Sequence, residues 1–329
     1  VQGLAPGSPA MDAVLASEDP GGLDGRSLRL DLSSTGLGET IHLARPNLLE
    51  LYGAKDLTPY MVFTPRYLVE LVEALDPRST YRSGVAALTD PELLASPVLD
   101  VLRVNTILSK SPLPVHPRLE PRHASPGFHV THRRGALPAA WLAEDGVVAA
   151  DDQQALTALT SAGFDPRAHV VLAPHSAVPS SARLASVEEL AAGPAPAATA
   201  GDQVLWSRPA AFRFDASVKT ETGAWLVIGE QFFPDWKCNL DGTDAELLRA
   251  NHALRALWIP PGEHLVRTWY EPWSLRYGAS LMALGLALLL GLGLAGRLGQ
   301  RPSRTTTPGA PDHDVPPGDQ AQDPERAPA

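Results

Sequence analysis

The chain has 329 residues, 44% of them hydrophobic, with 27 Lys and Arg against 37 Asp and Glu. A net charge of −10 argues against a surface built to neutralise nucleic-acid phosphates, and the apolar share is enough for a core, so a wholly disordered chain is excluded. One cysteine, Cys238, permits no intramolecular disulfide and no Cys-rich zinc site.

In chain order, residues 1–25 hold no apolar stretch of signal-peptide type, which favours the end of a larger polytopic protein over a self-contained secreted one. Pro65 stands at the start of a predicted helix running to Leu75. Val98–Leu102 reads as a helix leading into a buried strand at Val104–Leu108. His116, His123, His129 and His132 fall within seventeen residues and invite a metal reading. If 128–133 is a strand, however, His129 and His132 point to opposite faces, so surface or loop histidines are expected and no metal. Asp151 and Gln154 have capping-box spacing before a helix ending at Gly163, so Asp151 and Asp152 are read as capping residues and not as an acid pair. His169–Leu172 reads as a strand, and the Pro/Ala-rich 191–200 as a linker. Residues 1–195 are therefore expected to form a mixed α/β region.

From 196 to 272 the pattern turns to β. Ala211–Ala216 alternates, and Gly223–Gly229 is an apolar run around Trp225, Leu226, Val227 and Ile228. Asp241-Gly242 is a hairpin-turn dipeptide and Pro260-Pro261-Gly262-Glu263 another turn; Asp241 and Asp244 are read as turn residues. The spacing predicts a small antiparallel β-sandwich of about seven strands, making the whole chain α+β. Phe232, Phe233, Trp236 and Trp258 are candidates for a glycan-stacking face, set against core packing. Cys238 beside Lys237 is considered as a reactive thiol on weak grounds.

Tyr277–Gly296 is twenty residues without a charge, with eight Leu and five Gly. Such a helix is about 30 Å long, the thickness of a bilayer's hydrocarbon core, and its glycines suit a membrane better than water. The span is placed at 275–297, with Trp269, Tyr270, Trp273 and Tyr277 as an aromatic belt and the sandwich close to the bilayer. Ala279, Ala283, Ala287, Gly291 and Ala295 form a small-residue stripe that would let another transmembrane helix approach. Arg297, Arg301 and Arg304 after the span, against Arg267 and Arg276 before it, favour a cytoplasmic C-terminus. Residues 298–329, with seven Pro and no aromatic, are expected to be a disordered tail. No Walker sequence, G-x-S-x-G, H-E-x-x-H or Rossmann fingerprint occurs, so neither a catalytic residue nor a cofactor is expected.

Several blocks carry a resemblance. Pro46-Asn47-Leu48-Leu49-Glu50-Leu51-Tyr52-Gly53-Ala54-Lys55-Asp56-Leu57, Leu99–Leu108, Glu230-Gln231-Phe232-Phe233-Pro234-Asp235-Trp236-Lys237, then Leu240-Asp241-Gly242, Arg249–Ala256 and Pro260–His264, stand in the order of matching blocks in the YfhO family of bacterial membrane proteins, which this chain resembles over roughly residues 8–296. The resemblance implies an extracytoplasmic region followed by the last membrane helix, in a bacterial inner membrane. It also implies a glycosyltransferase core using lipid-linked sugars in a polytopic N-terminal half that this sequence does not contain. Asp235 replaces the family's usual Gly and Cys238 its usual small residue, and no catalytic residue carries over. The expected role is an accessory or acceptor-positioning module, with a free-standing membrane-anchored glycan- or protein-binding scaffold as the alternative. Expected partners are the lipid bilayer, other transmembrane helices and cell-envelope glycan, not nucleic acid.

Overall fold

The computed structural model describes residues 7–18, 25–30, 49, 53–57, 65–78, 88–193 and 201–299. The chain divides into two units, Val1–Pro272 and Trp273–Ala329. The first runs α1 (Pro9–Glu18), β1 (Arg26–Leu30), α2 (Arg66–Leu75), a 3₁₀ turn (Pro91–Ala95), α3 (Pro97–Val101), β2 (Val104–Ser109), β3 (Leu119–Ser125), β4 (Phe128–Arg133), β5 (Ala140–Ala143), β6 (Asp145–Val148), α4 (Asp152–Thr160), β7 (His169–Leu172) and α5 (Val187–Ala191). Strands follow: β8 (Gln203–Ala210), β9 (Arg213–Thr220), β10 (Ala224–Ile228), β11 (Trp236–Leu240), β12 (Thr243–Ala245), β13 (Leu248–Ala250), β14 (Leu254–Ile259) and β15 (Gly262–Tyr270). The fold is α+β, with three sheets among the described residues.

The sandwich is built from a six-stranded sheet, in the order β5-β10-β14-β13-β7-β6, and a five-stranded sheet, β12-β11-β15-β9-β8. Phe214, Ala216, Val218, Cys238 and Val266 from the five-stranded sheet meet Ala140, Leu226, Ile228, Leu257 and Ile259 from the six-stranded one in a single core. The other face of the six-stranded sheet contributes Trp141, Val170, Trp225, Val227, Leu254 and Trp258 to a second core, closed by Leu68, Leu71 and Val72 of α2 and Leu156 and Leu159 of α4. A sheet covered on both sides needs apolar residues at every position. This explains why β10 reads Ala-Trp-Leu-Val-Ile and is buried throughout.

The structure differs from the expected layout at one boundary. β5, β6 and β7 come from before the Pro/Ala-rich stretch but hydrogen-bond into the same sheet as β10, β13 and β14. A division at 195 therefore runs through a sheet, and the sandwich has eleven strands in place of about seven because it recruits these earlier ones. The third sheet, β1-β2-β4-β3, has β1 parallel to β2, and α1 packs Ala10, Met11 and Val14 against Leu108, Phe128 and Val130. Of the resemblance block at 46–57, residues 46–48 and 50–52 lie outside the described residues, as do 194–200 of the expected linker.

Local signals act as the chemistry requires. Asp151 accepts from the Gln154 amide and caps α4, which ends at Thr160, three residues before Gly163. Asp241 and Gly242, at φ 53° and 90°, form the two-residue loop between β11 and β12, the left-handed conformation that Asp-Gly supplies. Ser186 and Glu189 form a reciprocal capping box for α5.

The described part of the second unit is α6 (Trp273–Gly299), of which Trp273–Ala295 is long and apolar enough to cross a membrane. This span begins two residues before the expected 275. Its leucines are exposed, Leu281 through Leu294 between 54% and 70%, as a lipid-facing helix requires. Ala279, Ala283, Ala287, Gly291 and Ala295 all lie on α6 and are exposed. Of the expected tail, 300–329 lie outside the described residues.

Candidate functional site

The ends of several elements in the first unit converge on a cavity of about 480 Å³ lined by Arg26, Lys55, Asp56, Arg103, Arg208, Glu230, Phe233, Trp236 and Arg255, among others. Glu230 follows β10 and its Oε1 lies 2.5 Å from Arg208, 3.5 Å from Arg103 and 3.7 Å from Arg26. Burial pushes this carboxyl up, but Arg26, Arg103 and Arg208 outweigh it and hold Glu230 at about 2. It is ionised at any physiological pH, too weak a base and too strong an acid for proton transfer near neutrality.

Each arginine is placed by the fold. Arg103 turns the chain from α3 into β2 in a left-handed conformation, φ 62°, which costs an L-residue about 1–2 kcal/mol. Its carbonyl accepts from the Arg26 amide at 2.8 Å. Arg26 in turn donates through Nη2 to the Gly229 carbonyl at 3.0 Å, tying β1 to the end of β10. A Cβ at Gly229 would stand 2.7 Å from Arg103 Cδ, so glycine is what lets the guanidinium stem pass. Burial, with Arg26 alongside, lowers Arg103 to about 9, and burial lowers Arg255 to about 10. Among the described residues the lining brings together five cationic side chains and two carboxylates.

Arg255 is the distinctive member. It lies in β14 on the same face as Leu257 and Ile259, between the two sheets, and is 1% exposed. Its guanidinium sits 3.8 Å over the Trp236 ring, yet its Nε and Nη1 have no hydrogen-bond partner among the described residues. Arg133, equally buried, shows the contrast: it donates to the carbonyls of Leu94, Ser96 and Val104 and pairs with Asp100 at 2.7 Å. Arg133 is therefore satisfied within the fold, whereas two nitrogens of Arg255 are without a partner among the described residues.

The expected aromatic face divides. Phe233, 41% exposed, and Trp236 line this cavity. One face of Trp236 is taken by Arg255, and Tyr270 packs against it at 5.6 Å, so its first role is as a platform for the guanidinium. Phe232 lies instead along a neighbouring cavity of about 720 Å³ shared with Trp236, Lys237 and Trp269. Trp258 belongs to the core, 5% exposed and packed edge-on against Trp225 at 5.5 Å, and offers no stacking surface. Cys238 is buried between the sheets, and burial pushes its thiol up to about 12, so it serves packing and not reactivity.

Other expected residues have structural roles. Asp152 does not share the capping role: its carboxylate pairs with Arg249 at 2.5 Å. His252, φ 62°, donates through Nε2 to the Glu70 carboxylate at 2.8 Å and meets Tyr67 edge-on. His129 and His132 sit on opposite faces of β4, half-buried and buried respectively, His123 lies on β3, and the His116 ring accepts from the Arg118 amide. No group of three metal-ligating side chains occurs among the described residues. Asp241 accepts from the Leu265 amide and pairs with His264, holding the β11–β12 loop against β15.

No motif marks these arginines, although Arg255 interrupts the apolar run Leu254–Ile259. A lone charge in an otherwise buried strand is the signal that could have found Arg255. Comparison with protein-family models, with curated proteins and with solved structures gave no match.

Proposed function

We propose that this chain is a membrane-anchored binding module that recognises an envelope glycan or glycan-like acceptor, as the extracytoplasmic part of a YfhO-like membrane protein would when serving a glycosyltransferase core. The observation that carries this reading is the cavity where Glu230, Phe233 and Trp236 of one short block meet four arginines from β1, β8, β14 and the α3–β2 turn. An aromatic ring beside convergent charged donors is the chemistry of sugar recognition.

In this proposal α6 anchors the module in a bacterial inner membrane with the first unit outside the cytoplasm. The Ala279–Ala295 stripe would then pack against another transmembrane helix. The test is glycan-array binding by the full chain in detergent. Phe233→Ala and Trp236→Ala are expected to lose glycan binding at least tenfold with the circular dichroism spectrum unchanged. Equal binding by parent and both variants would reject the reading. A reading frame with several membrane spans directly upstream would favour the accessory module over a free-standing scaffold.

A further inference from the structure

The loops at the two ends of the five-stranded sheet differ in chemistry, and the aromatic end is the one from which the chain runs on into α6. We propose that this end is a bilayer-contacting surface, with the Phe212 ring seated in the lipid headgroup layer and Phe233 at its margin. This inference rests on α6 spanning a membrane and is independent of what the cavity binds.

Three observations carry it. The first is covalent. β15 ends at Tyr270 and the apolar span begins at Trp273, so only Glu271 and Pro272 intervene. Three residue steps reach at most about 11 Å, which keeps Tyr270 near the start of the span. Second, Tyr270 and Glu271 are fastened to the two loops that carry the rings. The Tyr270 amide donates to the Phe212 carbonyl and the Glu271 amide to the Asp235 carbonyl, each at 3.0 Å. Phe233 meets the Tyr270 ring edge-on, with centroids 6.4 Å apart. Phe212 is 66% exposed and Phe233 41%.

Third, turn chemistry changes from one end to the other. Toward the end where Gly262 pairs with Thr220, residues 221–223, 241–242 and 260–261 read Glu-Thr-Gly, Asp-Gly and Pro-Pro, the residues that turns in water favour. At the Tyr270 end, the two residues between Ala210 and Arg213 that join β8 to β9 are Ala211 and Phe212, and 232–234 read Phe-Phe-Pro. Phenylalanine brings nothing to a tight hairpin turn, and its exposed apolar surface is unfavourable in water. Entry into the headgroup and upper acyl region removes that surface from water. Arg213 donates twice to Asp215, at 2.9 and 3.0 Å, so ring insertion and not lipid charge carries the contact.

The test is fluorine NMR on the full chain in phosphatidylcholine nanodiscs, with 4-fluorophenylalanine at its seven phenylalanines. Phe212, Phe233 and the core residue Phe214 are assigned through their Leu variants, and Val115→Phe at a fully exposed position supplies a water-facing reference ring. A nitroxide on the lipid headgroup is expected to broaden Phe212 about fivefold more than Phe214, with Phe233 between them. A water-borne gadolinium chelate is expected to broaden Phe212 about threefold less than the reference ring.

A chelate that reaches Phe212 as readily as the reference ring overturns the proposal, as does nitroxide broadening of Phe233 without Phe212. Shielding from the chelate with no nitroxide broadening also overturns it, by assigning the ring to a protein partner. If the chain co-elutes with nanodiscs and Phe212 stays sharp with nitroxide lipid, α6 remains an anchor and only this inference falls. If the chain does not co-elute with nanodiscs, the anchor fails and takes the inference with it.

Discussion

Arg133 and Arg255 are both fully buried, and their surroundings predict opposite consequences for their removal. Arg133 donates to three carbonyls and pairs with Asp100. Arg133→Met should cost about 3 kcal/mol in urea unfolding, because carbonyls and a buried carboxylate lose their partner. Arg255→Met should fall within about 1 kcal/mol of the parent or above it, because no comparable set of hydrogen bonds is lost. Gly229→Ala is a third residue-scale probe: the added methyl, 2.7 Å from Arg103 Cδ, forces the guanidinium stem aside. It should cost about 1–2 kcal/mol in urea unfolding. At this scale the sequence was legible for turns and caps: Asp241-Gly242 and Asp151 behave as their chemistry dictates. It was poorly legible for Trp258, since a Trp in an apolar strand reads alike whether its neighbour is solvent or Trp225.

Among the elements, the turn between β13 and β14 fastens two helices. His252 reaches Glu70 on α2, and Arg249 reaches Asp152 at the start of α4 while lying 4.1 Å over the Tyr67 ring. Burial, with Arg249's charge beside it, holds His252 below its usual value against the pull of Glu70 and Asp152. An unfolded histidine takes up its proton near pH 6.5, before the folded one does. Between that pH and the folded value the unfolded state binds more protons, so this contribution is complete above about 6.5 and is lost as pH falls. The urea midpoint should therefore drop between pH 7.5 and 5.5. His252→Asn, which tolerates the left-handed backbone, should flatten that slope and cost about 1–2 kcal/mol at pH 7.5. His132, lowered by burial and by Arg122, acts in the same direction and leaves a residual slope. Below these values Glu70 and Asp152, whose partners hold them under the ordinary carboxylate range despite burial, extend the loss in the same sense.

Element identity was readable where one face or both faces impose a period. α2 spaces Leu68, Leu71, Val72 and Leu75 on one stripe, and β10 is continuously apolar. What the chain's local pattern does not encode is partner choice. Nothing in Trp141-Leu142 announces that β5 will pair with β10 some eighty residues later, which is why the expected boundary at 195 cut the sheet. The same holds for the site: Arg26, Arg103, Arg208 and Arg255 are scattered along the chain and become one cluster only when three sheets place their strand ends together.

For the molecule as a whole, anchoring and recognition are separable claims. The exposed apolar span Trp273–Ala295 predicts that the full chain stays in the membrane pellet through carbonate extraction and enters solution only with detergent. Release by carbonate alone would remove the anchor from the account. Recognition, the central claim, is tested most directly at the cavity itself by fluorine NMR on the full chain carrying 5-fluorotryptophan at its seven tryptophans, with Trp236 assigned through Trp236→Phe. On titration with maltotriose the Trp236 resonance should shift saturably, while those of the core pair Trp225 and Trp258 stay in place. A Trp236 resonance indifferent to maltotriose at millimolar concentration would contradict the account.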